Sequence, residues 1–168
     1  MNDALTQPVD RESRASRADH EALRLWLRLL TCTSLMEGSV RAELRRDFDC
    51  TLPRFDLLAQ LERHPDGLRM GELSKRLMVT GGNVTGITDQ LVREGLVTRA
   101  APPDDRRAFV VRLTPAGRRH FLRMAEAHEA WVVKLVSGLA ATERKQLFDL
   151  LAKLKRSVSA VHAKRDTD

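Results

Sequence analysis

Between His20 and about Asp47, Leu23, Trp26, Leu27, Leu30, Leu35, Val40 and Leu44 recur at the spacing of one apolar face on a single long helix. At about 1.5 Å per residue such a helix reaches roughly 40 Å, too long for a compact core of this size unless it projects or pairs. A second stripe, Leu147, Leu150, Leu151, Leu154, Val158 and Val161, follows Thr142 near the other end of the chain. Neither stripe has enough of its own 168 residues to bury against. Left bare in a monomer, they would form an unusually large apolar patch. Pairing of two copies through these helices is the physical solution, so a homodimer is expected.

The segment between the stripes reads as a compact unit. Thr51 is placed as a helix N-cap with Pro53 in the first turn, and Phe55, Leu57, Leu58 and Leu61 form the apolar face of that helix. His64-Pro65-Asp66-Gly67 ends it. Two short helical patterns follow, Gly71 to Met78 and Thr80 to Glu94, with almost nothing between them. Leu96 to Ala101 and Ala108 to Leu113 are β-type, the second by its period of two, and Pro102 to Arg107 is a polar turn between them. Thr114-Pro115 then caps and opens a helix that runs through Phe121, Met124, His128, Trp131 and Leu135 to Gly138. The expected order is α, α, α, α, β, β, α, α. This is a mainly α fold with a small β-wing, a winged helix-turn-helix with long terminal helices. Residues 1–19 read as a disordered arm, 20–50 and 114–165 as the dimerisation region, and 51–113 as the DNA-binding region.

Charge and side-chain size point to what that middle unit does. The chain carries +6 with a pI near 10. The window from Arg93 to Arg119 holds seven arginines against Glu94, Asp104 and Asp105, a net +4. In the second short helix Val84, Ile87 and Leu91 share one face, with Leu73 and Leu77 on the helix before and Val79 plugging the turn. The opposite face is small and polar: Thr80, Gly81, Gly82, Asn83, Thr85, Gly86, Asp89 and Gln90. A helix lying in a DNA major groove about 12 Å wide needs such a face, with little bulk and with amides or hydroxyls for base edges. Thr80 as N-cap also leaves amides suited to a phosphate. The competing reading, a solvated helix with a poor start, leaves the glycines unexplained, because each weakens a helix by about 1 kcal/mol. The turn Pro102 to Arg107 lies at a hairpin tip, where Arg106 or Arg107, oriented by Asp105, can enter the narrow minor groove. A solvated charged hairpin is the alternative there. Double-stranded DNA is therefore the expected partner.

Other classes find little support. There is no glycine-rich phosphate loop, nucleophile elbow or zinc-spaced His/Cys set, so no enzyme, cofactor or metal site is expected. His120, His128 and Glu129 could meet a metal two helical turns apart, but core or interface histidines are far commoner. Cys32 and Cys50 are too few for a zinc site, and idle thiols are a simpler reading than a redox sensor. No apolar run reaches the roughly 18–20 residues of a membrane span, and residues 1–19 lack the pattern of a secretory signal, so a cytoplasmic protein with no membrane partner is expected. A non-specific architectural DNA-binding protein remains an alternative, as does a redox- or metal-responsive regulator of the same fold.

Asp105-Arg106-Arg107-Ala108-Phe109-Val110-Val111-Arg112-Leu113-Thr114-Pro115-Ala116-Gly117 and Leu91-Val92-Arg93-Glu94-Gly95-Leu96-Val97 resemble the wing, and the end of the recognition helix, of the MarR-type (multiple antibiotic resistance) regulators. The resemblance covers about residues 20–160. It implies a bacterial, homodimeric winged-helix transcriptional regulator, a repressor on a pseudo-palindromic operator. Pro102 stands where that family often has aspartate and Gly86 where it often has arginine, so base preference does not carry over. Leu23 to Leu30, Thr51 to Leu57 and Met78 to Gly86 further resemble members that respond to hydroxycinnamoyl-CoA thioesters and related aromatic catabolites. That likeness implies a small-molecule effector, an aromatic acid or aromatic acyl-CoA, lying between the dimer helices and the reading head. The candidates to bind it are Trp26, Arg28, Arg54, Phe55, His128 and Trp131. An apolar wall with a cationic donor suits such a molecule, although the tryptophans also suit a dimer core.

Overall fold

A computed structural model describes residues 20–77, 81–101 and 109–165, with side chains as far as residue 163. The expected arm at 1–19, the expected cap Thr80 with the plug Val79, and the wing turn 102–107 lie outside the described residues. The chain divides into two compact units after His128, and each is taken by itself.

In the first unit α1 (Glu21–Phe48) is the long helix the stripe requires. Only its C-terminal half reaches a core, through Val40 and Leu44, and it stops where Asp49 turns into the left-handed region (φ 47°). The N–H groups of Asp49 and Cys50 close the helix end on the carbonyls of Arg45 and Leu44. Thr51 then starts α2 (Leu52–Glu62) through its backbone carbonyl, which accepts from Arg54 and Phe55, and not through its hydroxyl. Phe55, Leu57, Leu58 and Leu61 are buried, as their spacing requires.

The structure adds an element that periodicity does not reveal. Leu68 and Arg69 form a two-residue strand, β1, before α3 (Met70–Leu77) and α4 (Gly81–Arg93). With β2 (Val97–Ala100) and β3 (Val110–Leu113) it makes an antiparallel sheet in the order β1-β3-β2. Leu68 pairs with Val111 and Val97 with Leu113. Two residues cannot display an alternation, so β1 leaves no pattern to read. What makes it possible is Gly67 at φ +86°, where a Cβ would stand 2.6 Å from the Val111 carbonyl oxygen.

Leu73, Val84, Leu91, Val97, Val111 and Met124 are fully buried where α3, α4, the sheet and α5 (Pro115–Leu135) meet. α4 ends in a Schellman motif. Gly95, at φ +70°, donates to Val92 O (3.0 Å) and Leu96 donates to Leu91 O (2.9 Å). Thr114 ties α5 to that turn: its hydroxyl donates to the Gly95 carbonyl (2.8 Å) and accepts the Gly117 N–H (2.9 Å). α5 then lies so close that a Cβ on Gly117 would fall 1.9 Å from the Leu96 carbonyl oxygen.

The second unit, from Glu129 on, holds the end of α5 and α6 (Ala141–Arg165). Glu143, rather than Thr142, closes the first turn of α6 by accepting the Ala140 N–H (2.7 Å). Every apolar residue of the expected stripe is exposed in the single chain, Leu150 at 64%, and Phe148 joins them at 72%.

Two glycine substitutions should move stability in opposite directions. Gly117→Ala forces backbone apart and is expected to destabilise by about 3 kcal/mol. Gly86→Ala, where nothing lies within 4 Å of the added methyl, is expected to stabilise by about 0.5–1 kcal/mol. Urea unfolding of the two variants beside wild type measures both.

Candidate nucleic-acid interface

α4 is two-faced. Val84, Ile87, Thr88 and Leu91 point into the core. Gly81, Gly82, Asn83, Thr85, Gly86, Asp89 and Gln90 are exposed together along the other side. Nothing lies within 4 Å of a Cβ built on Gly82 or Gly86, so packing within the chain does not demand glycine at either place. The Thr85 hydroxyl donates to the Gly81 carbonyl (2.9 Å). Its proton is thereby engaged, and its oxygen is presented outward as an acceptor. Among the expected DNA contacts, Gly81, Gly82, Asn83, Thr85, Gly86 and Gln90 thus share one exposed face. Thr80, Asp105, Arg106 and Arg107 lie outside the described residues.

Asp89, which the sequence places on the polar face, has a partner. Its carboxylate accepts from Arg99 of β2 at 2.8 Å, and that guanidinium stacks 4.7 Å from the centre of the Phe109 ring beside β3. The base of the wing is therefore tied to α4 by one cation. Ten residues and the Schellman turn separate Asp89 from Arg99, a spacing that no helical or strand period links.

The effector candidates fall into different places. Trp26 (56% exposed) and Arg28 stand exposed on α1, and Trp131 is half-buried on the part of α5 that belongs to the second unit. Phe55 and His128 are brought together with ring centres 4.9 Å apart, and Phe121 lies 5.5 Å from Phe55 on the same cluster. Phe55 is buried, so its ring serves the core of the first unit. Arg54, next to it, forms an ion pair with Glu94, at the C-terminal end of α4. Arg54, Glu94, Gln90 and Arg93 line an open hollow of about 440 Å³. This hollow joins an effector candidate to the reading helix, and the sequence gives no sign of it because forty residues separate the ion-paired groups.

The cysteines occupy opposed environments: Cys32 is exposed on α1 and Cys50 is buried just beyond its end. Burial pushes the Cys50 thiol up from its ordinary value, which disfavours the reactive thiolate. The stretch of α1 from Cys32 to Phe48 spans roughly 24 Å, well beyond disulfide reach within one chain. Among the described residues no three His, Cys, Asp or Glu side chains gather as a metal site, and no helix is long and apolar enough to cross a membrane.

A helix-turn-helix followed by an antiparallel β-hairpin defines the winged-helix class of DNA-binding proteins. Residues 48–108 match the model of the MarR family. The chain is 32% identical over 121 residues to the HTH-type transcriptional regulator YkoM of Bacillus subtilis, covering 71% of this chain and 76% of that protein. A MarR family transcriptional regulator from Silicibacter pomeroyi is similar in structure, with a TM-score of 0.72 and 33% identity over 86% of this chain and 99% of that one. A mutant MarR from E. coli complexed with operator DNA gives a TM-score of 0.69 at 26% identity, covering 83% and 99%. The chain belongs to the MarR family of transcriptional regulators.

Arg99→Gln removes a cation and unmasks the Asp89 carboxylate on the exposed polar face of α4. Arg99 is about a third exposed and Asp89 about half, so the cost in stability is expected below about 1 kcal/mol. DNA affinity in a mobility-shift titration should nevertheless fall by about tenfold at low salt, with the loss shrinking as salt rises.

Proposed function

We propose that the protein is a repressor that binds a pseudo-palindromic operator as a homodimer and is released by a small aromatic acid or its CoA thioester. The observation that carries the DNA-binding part is the exposed face of α4, where Gly82 and Gly86 weaken the helix without filling any packing need of the chain. Glycine there allows the close approach that a major groove requires. In this reading Asn83, Thr85 and Gln90 face base edges, Gly81 and Thr80 a phosphate, and Asp105, Arg106 and Arg107 the adjacent minor groove. The operator complex of the similar E. coli MarR supports it.

Homodimerisation is supported by the bare apolar faces of α1 and α6, from Leu23 and Trp26 to Leu154 and Val161. Residues 20–50 and 114–165 would form the paired region. A dimer of winged units sets its reading helices about 34 Å apart, one turn of DNA, and an effector that alters that spacing releases the operator. The aromatic effector class rests on the likeness of Leu23 to Leu30 and Thr51 to Leu57 to aromatic-catabolite-responsive members. Arg54, within the second of these segments, supplies a cation that suits such an acid. Trp26, Arg28 and Trp131 are the further effector candidates of this proposal.

Selection of bound duplexes from a random library, followed by competition, tests the regulator reading. The selected site should be preferred at least about a thousandfold over random DNA at physiological salt; a much smaller preference would favour an architectural protein. Asn83→Ala should relax choice at particular base pairs, whereas Arg107→Ala should weaken all sequences alike and lower the salt slope by about one. Truncation after Gly138 should leave a monomer or an insoluble chain by analytical ultracentrifugation.

A further inference from the structure

We propose that Arg54 is an exchangeable anion seat: Glu94 occupies it in the free protein, and an oxyanion of the effector displaces Glu94 and so unties α2 from the reading helix. The two members of this ion pair are unequally placed. The Arg54 side chain is only 19% exposed and its Nε is buried without a partner, whereas the Glu94 side chain is 42% exposed. A cation drawn out of water needs an anion at all times, while the carboxylate facing it can return to solvent. Glu94 also sits just past the last residue of α4, at the negative end of that helix's dipole, where its charge is disfavoured unless Arg54 holds it.

The hollow holds a second guanidinium besides that of Arg54. Arg93 lines the same hollow. His120 lies near Arg54 and Glu94 and is held below its ordinary pKa, first by burial and then by Arg123 and Arg54. Its Nδ1 lies 3.4 Å from the Arg123 guanidinium. The hollow of about 440 Å³ is within the size range of small-molecule sites and opens to solvent. A carboxylate or a phosphate meets Arg54 by the same charge-assisted hydrogen bonding that Glu94 uses.

The exchange has a mechanical consequence. Glu94 is followed by Gly95 and the Schellman turn, and Asp89, which holds the wing through Arg99, lies earlier on α4. Loosening Glu94 therefore frees the end of the helix to which the wing is attached. An anion acts as a switch here only through its differential affinity for the tied and untied states.

This inference rests on the effector reading above only in taking the anion to be carried by the effector. The test uses the full chain and two variants, Glu94→Gln and Arg54→Gln, with benzoate, 4-hydroxycinnamate, coenzyme A and 4-hydroxycinnamoyl-CoA as probes. Calorimetry measures probe binding and a mobility shift measures operator binding. Glu94→Gln should bind a probe about tenfold tighter than wild type, and without any probe should bind operator about tenfold more weakly. Arg54→Gln should lose at least about tenfold in probe affinity. If it does not fold, Arg54→Lys, which keeps the charge and loses the fork, should show a smaller loss in the same direction. Tightening confined to the free acids identifies a carboxylate in the seat, and tightening shared by coenzyme A identifies a phosphate. Equal probe affinity in all variants overturns the Arg54 seat and leaves the effector reading standing. Absence of probe binding to wild type and Glu94→Gln at millimolar concentration overturns both. Unchanged operator affinity in Glu94→Gln overturns the coupling.

Discussion

The approach of Gly117 to the carbonyl of Leu96 fixes the junction of α4, β2 and α5. Leu96 is the residue at which α4 has ended and the wing begins, and Gly117 lies in the first turn of α5. The absence of a side chain at 117 lets helix backbone rest on strand backbone, and Thr114 fastens the junction with one hydroxyl that donates on one side and accepts on the other. Three directions are set at once: the exit of the reading helix, the start of β2 and the axis of α5. Leu91 and Val97 are fully buried around this junction. Val97 and Arg99 share a face of β2, so a slip of one residue would turn both away together, and the core and the Arg99–Asp89 pair demand the same register.

Acid–base pairing follows the same economy on the reading head. Asp89 is answered by Arg99, Glu94 by Arg54 and Glu62 by Arg118. None of these pairs is deeply buried on both sides, so none adds much to stability. Their effect is on the field. α4 carries Asp89 and has Glu94 at its end, and each carboxylate is masked by an arginine from a different element. Each mask is also a mechanical link, Arg99 to the wing and Arg54 to α2. Charge neutralisation and the positioning of α4 thus depend on the same side chains.

The helices and β3 are legible because their apolar residues follow one period over enough residues to be recognised. Val84, Ile87 and Leu91 mark the buried face of α4 in the sequence, and the structure buries all three together with Thr88. β1 is not legible, since Leu68 and Arg69 are too few to alternate and owe their conformation to Gly67 and to a partner strand far along the chain. Asp89 and Glu94 read as solvent-facing charges because their partners, Arg99 and Arg54, are brought near only by the turn after α4 and by the packing of α2. Phe55 reads as a possible ligand wall because a buried aromatic and a pocket aromatic look alike in sequence. Its contacts with Phe121 and His128 depend on where α5 runs.

α6 bears on how such a chain can be folded at all. Among its 25 residues, none of the described side chains is buried in the single chain. A helix of that length gains little from propensity alone and takes most of its stability in proteins from packing an apolar face. Leu147, Leu150, Leu154 and Val158 provide such a face, and the single chain leaves it exposed. If a second copy covers it, as proposed, the energy that holds α6 together is the energy of association, and folding of the terminal helices becomes linked to protein concentration. The first unit has its own core, from Leu44 to Met124, and does not need this support. The first unit and α6 therefore differ in what stabilises them. In the proposed dimer, that difference would let the spacing of two winged units respond to a ligand while each keeps its internal packing.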